Sequence, residues 1–142
     1  MQQFIEQANH IVIFTHMAPD GDAMGSSLAL YNYLTGEAGL TVKRSDSDNG
    51  LTAKRSITVI VPNAFPEFFN WMPGADKIRI YEKESKDCDP IIAEADLFLC
   101  TDFNDPKRIG PMGEKMLANP CPKVLIDHHL GLESGKWKVE KD

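Results

Sequence analysis

Ile11-Val12-Ile13-Phe14-Thr15-His16-Met17-Ala18-Pro19-Asp20-Gly21-Asp22-Ala23-Met24 is the stretch on which the fold of this chain turns. Its first four residues form an unbroken apolar, β-rich run, the pattern of a strand covered on both faces. From Met24 the apolar positions Leu28, Tyr31 and Leu34 follow at spacings of three or four. That spacing predicts a helix, with Gly36 and Gly39 as stop signals. The loop between strand and helix carries Pro19, Gly21, His16 and two aspartates.

The alternation continues outward. Phe4, Ile5 and Ala8 are spaced for a short amphipathic helix ahead of the strand. Ile57 to Val61 is a second β-branched run, ended by Pro62, and Lys77 to Tyr81 alternates as a short strand would. Pro90 to Ala95 reads as a helical turn or two, and Leu97 to Cys100 as a further buried strand. Pro111 opens a helix through Met112, Met116 and Leu117, closed by Asn119-Pro120, and Val124 to Ile126 is the last strand. Strands alternating with helices predict an α/β fold: a doubly wound parallel sheet with helices on both faces, in three layers. A length of 142 residues suits one domain, residues 1–142.

One segment breaks the rhythm. Leu40-Thr41-Val42-Lys43-Arg44-Ser45 nearly repeats as Leu51-Thr52-Ala53-Lys54-Arg55-Ser56, with Asn49-Gly50 between them. Asn-Gly is a hairpin-turn signal, and such a hairpin would carry Lys43, Arg44, Lys54 and Arg55 toward an anionic substrate. The plainer reading, and the one preferred, is a solvated polar insertion over about 43–56.

Composition bounds the function. Fifteen Lys and Arg against 21 Asp and Glu give a net charge of −6, so the chain lacks the basic field with which proteins grip long nucleic acid. A short nucleotide held through bound cations stays compatible with that charge. Three cysteines without tight spacing argue against a disulfide framework and a cysteine zinc site. Cys100, inside an apolar run, reads as a buried structural thiol. No apolar run approaches the roughly 18–20 residues of a membrane span, and the N-terminus has no signal-peptide pattern. The expected location is the cytoplasm.

The chemistry collects at strand ends. Ile11–Phe14 leads into His16, Asp20 and Asp22, Leu97–Cys100 into Asp102, and Val124–Ile126 into Asp127-His128-His129. In open parallel sheets the ligand site lies beyond the carboxyl ends of the strands. Three of the four histidines and four aspartates are thereby delivered to one edge, while His10, ahead of its strand, reads as structural. Carboxylate with imidazole, and no cysteine, favours Mn²⁺ or Mg²⁺. Two such ions about 3.5–4 Å apart can clamp an in-line phosphoryl displacement and activate water. The N-terminal amides of the helix near Ala23 are expected to seat a phosphate. A dinucleotide-binding domain is a poor fit, since no G-x-G-x-x-G follows the first strand and acids fill that loop.

His16-Met17-Ala18-Pro19-Asp20-Gly21-Asp22-Ala23-Met24-Gly25-Ser26 resembles the first motif of the DHH phosphoesterases, HxxPDxDAxGS. Thr101-Asp102-Phe103-Asn104 with Arg108 is similar to the second motif, and Asp127-His128-His129 to the motif that names the family. Val61-Pro62 through Trp71-Met72-Pro73-Gly74-Ala75-Asp76 is similar to the branch of oligoribonucleases and phosphoadenosine-phosphate phosphatases. The resemblance implies a binuclear Mn²⁺ site, with His16 and Asp20 on one ion, Asp22 and His128 on the other, and Asp102 bridging. It implies that Asp127 orients a histidine, that His129 faces the substrate phosphate, and that Ser26, Asn104 and Arg108 are substrate contacts. The implied substrate is a short oligoribonucleotide or phosphoadenosine phosphate. The alternatives are a cyclic-dinucleotide product, single-stranded DNA or pyrophosphate, or a non-catalytic metal- or nucleotide-binding fragment.

Family members continue past the Asp-His-His motif, with one more metal-binding aspartate and a C-terminal substrate-binding domain. Here 13 residues follow His129. The expectation is therefore a domain incomplete at its C-terminal end, inactive alone or weak for its second ion, and inclined to dimerise through exposed apolar surface.

Overall fold

A computed structural model describes residues 2–36 and 55–129. Five strands, β1 (His10–Phe14), β2 (Ser56–Val61), β3 (Arg79–Ile80), β4 (Leu97–Thr101) and β5 (Lys123–Ile126), form one sheet in the order β3-β2-β1-β4-β5. Every pairing is parallel. Helices α1 (Gln2–Gln7), α2 (Gly21–Thr35), α3 (Tyr81–Glu94) and α4 (Met112–Ala118) cover it.

Strand periodicity sorts the core into two halves, because successive side chains leave opposite faces. Ile11, Ile13, Val59, Leu97 and Leu99 meet Ile5 of α1 and Tyr31 and Leu34 of α2. Val12, Phe14, Ile60, Phe98 and Cys100 meet Cys88 and Ile92 of α3 and Met112 and Met116 of α4. Val12 lies opposite Thr58 on one side and Phe98 on the other, which places β1 in the middle of the sheet. The Phe14 and Phe98 rings stack with centroids 5.3 Å apart. Each of these fully buried side chains contributes about 1.5–3 kcal/mol through burial. The doubly wound, three-layer α/β reading is the observed architecture.

The stretch 62–78 forms two short 3₁₀ turns, Glu67–Phe69 and Ala75–Lys77. Phe65, Phe69 and Met72 pack there against Met24 and Leu28 of α2. Gly74 takes φ 87°, and a Cβ there would stand 3.1 Å from the Tyr31 ring, so the close approach needs glycine.

Two local expectations are corrected, and others are refined. The Lys77–Tyr81 strand shrinks to Arg79–Ile80, because Tyr81 already opens α3. That helix runs to Glu94 and holds Pro90 inside it, instead of a turn or two beginning at Pro90. Glu84 is non-helical (φ −127°, ψ 29°) and splits α3 in two, while the Tyr81 hydroxyl donates to Asp89 Oδ1 at 2.7 Å across the break. The charged run Glu82-Lys83-Glu84-Ser85-Lys86-Asp87 hides this helix from a hydrophobic pattern. β5 is half-buried at all four positions, since it forms the edge of the described sheet.

Arg55 bears on the less favoured hairpin reading. Its guanidinium donates to Ile5 O at 2.7 Å and Ala8 O at 3.2 Å, closing the end of α1 instead of facing a substrate. The remainder of the duplicated segment, through residue 54, lies outside the described residues. His10 is exposed at the amino end of β1, away from the loops described below.

Candidate metal centre and cleft

β1 and β4 are neighbours whose outgoing connections part company: α2 packs on one face of the sheet and α4 on the other. A crevice opens where such connections diverge, and the first two motif loops leave the sheet there. β5, beside β4, adds the third.

His16 follows β1 and is buried. Its Nδ1 lies 2.7 Å from the Met17 carbonyl oxygen. Only an N–H suits a carbonyl, so that nitrogen holds the proton and Nε2 keeps its lone pair. Nε2 lies 3.5 Å from Asp102 Oδ2 and 3.9 Å from Asp20 Oδ1. Lone pairs facing one another in this way call for a cation or a proton between them.

Asp102 sits at the tip of β4 and is 5% exposed. It takes φ 60°, held there by its amide, which donates to Ile126 O on β5 at 2.9 Å. A left-handed backbone at a non-glycine costs on the order of 1 kcal/mol, though aspartate tolerates it better than most. The result is a carboxylate with an oxygen for each neighbour: Oδ2 toward His16, and Oδ1 at 3.2 Å from His128 Nε2. The carboxylate, little exposed, thus stands between two imidazoles.

Asp127 Oδ1 lies 2.6 Å from His129 Nδ1. A carboxylate that close keeps the proton on Nδ1, so that nitrogen is unavailable to a cation although Asp102 Oδ1 is 3.7 Å away. Nε2 is then the His129 nitrogen that keeps a lone pair. The ligand atoms of His16, Asp20 and Asp102 all fall within 4.8 Å of one another, and those of Asp102, His128 and His129 do likewise. Imidazole and carboxylate donors of this kind, with no thiolate among them, fit a hard or borderline divalent cation.

Asp20, 3.9 Å from His16, is also bound to the helix behind it. Its Oδ1 accepts from the amides of Asp22 and Ala23 at 3.1 Å each, making it the N-cap of α2. The Ala23 amide chiefly holds this carboxyl below its ordinary 3.8, with His16, the Asp22 amide and Arg108 adding to the effect and partial burial opposing it. The cap engages two of the helix-end amides that were expected to seat a phosphate.

The cleft is about 560 Å³ and is walled by Gly21, Asp22, Gly25 and Ser26 of α2 with Asp102, Asp127 and His128 opposite. A Cβ at Gly21 or Gly25 would meet nothing within 4 Å, so a ligand can approach the side of α2 closely there. Asp22 lies on this wall but in neither ligand cluster, whereas His128 stands in one with Asp102. Ser26 also lines the wall, its hydroxyl 3.4 Å from Ala23 O. Arg108 is half-buried in the loop after β4 and close enough to lower the pKa of Asp20. Its carbonyl accepts the Met17 amide at 2.8 Å. Asn104 is half-buried in the same loop.

The sequence reading passed over Asn63. This residue follows β2, and its Oδ1 accepts the Ala18 amide at 2.8 Å. The only signal was an Asn just past a strand end and a proline, which marks a turn as readily as a site.

A parallel α/β domain with imidazoles and carboxylates clustered at its switch point has a donor set that could hold a divalent cation. The model of the DHH family, N-terminal domain, matches residues 10–139, and the chain belongs to the DHH family. Its structure is similar to that of an exopolyphosphatase-related protein from Bacteroides fragilis, at 42% identity and a TM-score of 0.78. The match covers 93% of this chain and 34% of the other, so the chain spans about a third of that relative's length. No curated protein matches the chain. Among the described residues, no helix is long and apolar enough to cross a membrane.

Proposed function

We propose that this domain is the metal-holding part of a hydrolase that cleaves phosphoester bonds of short oligoribonucleotides or of phosphoadenosine phosphate. The observation that carries the reading is Asp102, whose two oxygens face His16 at 3.5 Å and His128 at 3.2 Å from separate strand ends. In this reading His16 and Asp20 hold one Mn²⁺, His128 and Asp22 hold the other, and Asp102 serves both. Asp22 would turn from the cleft wall to do so. Mg²⁺ is the alternative ion. Bound ions of this kind supply Lewis acidity toward phosphate oxygens and lower the pKa of water.

The protein's own groups account for the rest. Asp127 fixes the His129 ring and its tautomer, so that Nε2 meets a phosphate oxygen in one orientation. Gly21 and Gly25 leave room for the phosphate against α2, with the Ser26 hydroxyl beside it. Arg108 and Asn104, from the loop after β4, are the candidates for the far side of the substrate. The net charge of −6 suits a short anion neutralised by metal better than a long strand gripped by lysines.

A second reading comes from the relative described as exopolyphosphatase-related, which is 42% identical. Inorganic polyphosphate presents the same terminal phosphate oxygens and lacks a base. A third is a domain that binds metal or nucleotide without turnover. One assay separates them: phosphate release from dinucleotides, phosphoadenosine phosphate and polyphosphate with Mn²⁺, for wild type and Asp102→Asn. Release from the nucleotides, falling at least about 100-fold in the variant, supports the proposal. Release from polyphosphate alone supports the second reading. No release by wild type from any substrate, with Mn²⁺ bound, supports the third.

A further inference from the structure

We propose that Asn63 is a positioning residue that holds the His16–Asp20 loop in its metal-binding shape, an inference that rests on the metal-site reading above. Ala18 lies at the centre of that loop and takes φ 51°. The conformation is disfavoured twice. An L-residue with a Cβ avoids positive φ, and a residue that precedes proline, as Ala18 precedes Pro19, is pushed toward extended backbone. Something must hold it there.

The loop is held from three sides. The Met17 amide donates to Arg108 O at 2.8 Å, which ties it to the connection after β4. Asp20 caps α2 through the amides of Asp22 and Ala23. The Ala18 amide donates to Asn63 Oδ1 at 2.8 Å, which ties it to the end of β2. Of these three, only the last acts on the disfavoured residue itself, and it comes from a side chain.

The consequence falls on the cluster. His16 precedes Ala18 by two residues and Asp20 follows it by two, and their ligand atoms must converge on Asp102. Relaxing Ala18 toward negative φ rotates the peptide between them and separates Asp20 from His16, which already lie 3.9 Å apart. Asn63 touches neither ligand. It acts through the backbone, so its loss should weaken cation binding while the sheet stays intact.

The test compares wild type, Asn63→Ala, Asn63→Ser, Asn63→Asp and the double variant Asn63→Ala with Ala18→Gly. Mn²⁺ affinity is measured by calorimetry on metal-free protein. Hydrogen exchange at the Ala18 amide is followed in the same samples without metal. Asn63 is only partly buried, so the variants should fold, and thermal unfolding checks this. Expected are Mn²⁺ binding weakened roughly 10–100-fold in Asn63→Ala and Asn63→Ser and faster exchange at Ala18. Near-wild-type binding is expected in Asn63→Asp, which keeps an acceptor oxygen. The double variant should recover part of the loss, because glycine adopts positive φ freely. Unchanged affinity and unchanged exchange in Asn63→Ala would overturn the proposal, as would a loss equally deep in Asn63→Asp. If wild type takes up no Mn²⁺, it is the metal-site reading that fails, and exchange at Ala18 still decides whether Asn63 holds the loop.

Discussion

Asp102 concentrates the conflict between stability and function in a single side chain. It is 5% exposed, carries a left-handed φ of 60°, and has two histidines at its oxygens. Burying a carboxylate costs free energy unless something cationic repays it. Asp102→Asn keeps the shape and the tolerance for left-handed backbone but removes the charge. In metal-free protein it should therefore unfold at the wild-type temperature or above, while Mn²⁺ binding is lost. Calorimetric unfolding with and without Mn²⁺ checks both halves. A fall of many degrees in the metal-free variant would make Asp102 a structural residue instead. The cysteines behave otherwise: burial pushes the Cys88 thiol up to about 11 and that of Cys100 higher still, which marks both as core.

Among the elements, α3 and α4 are joined by several polar contacts, of which Asp89 makes the charged one. Asp89 accepts from Lys115 at 2.8 Å and from Tyr81 at 2.7 Å. Lys115 first, then Tyr81, holds the Asp89 carboxyl below its ordinary 3.8. A carboxyl depressed on folding contributes stability that is present above its unfolded pKa and lost as pH falls through the folded one. The advantage of wild type over Asp89→Asn should thus be full at neutral pH and vanish below 3.8, which denaturant midpoints across that range will show. The opening of α4 has a steric demand as well. A Cβ at Gly113 would run into the Pro106 carbonyl, in the 3₁₀ turn Pro106–Ile109 that carries Arg108. Gly113→Ala should cost about 1–3 kcal/mol, read as a lower denaturant midpoint. It should also weaken Mn²⁺ binding, because the Arg108 carbonyl holds the Met17 amide.

For the whole molecule, a site assembled from β1, β4 and β5 couples ligand binding to the sheet itself. Any cation that binds the folded chain alone stabilises it by mass action, about 2.7 kcal/mol at a concentration 100 times Kd. For a domain of this size that corresponds to a rise in Tm of roughly 6–10 °C. Thermal scans with Mn²⁺, reversed by a chelator, measure it, and no rise at saturating Mn²⁺ would count against the centre.

Local signals determined much of this protein. The apolar runs at 11–14, 57–61 and 97–100, the helical spacing from Met24 and the acids after β1, β4 and β5 were legible because strand burial, helix periodicity and motif chemistry are properties of neighbours in sequence. The two-faced parallel sheet followed from their order. Tertiary structure decided what depends on partners remote in sequence. It lengthened α3 across a charged run, turned Arg55 to the end of α1, and spent the first amides of α2 on Asp20. It also brought Asn63 to Ala18 across 45 residues. No composition or spacing encodes such a contact, because it exists only after β1 and β2 have paired and their ends lie side by side.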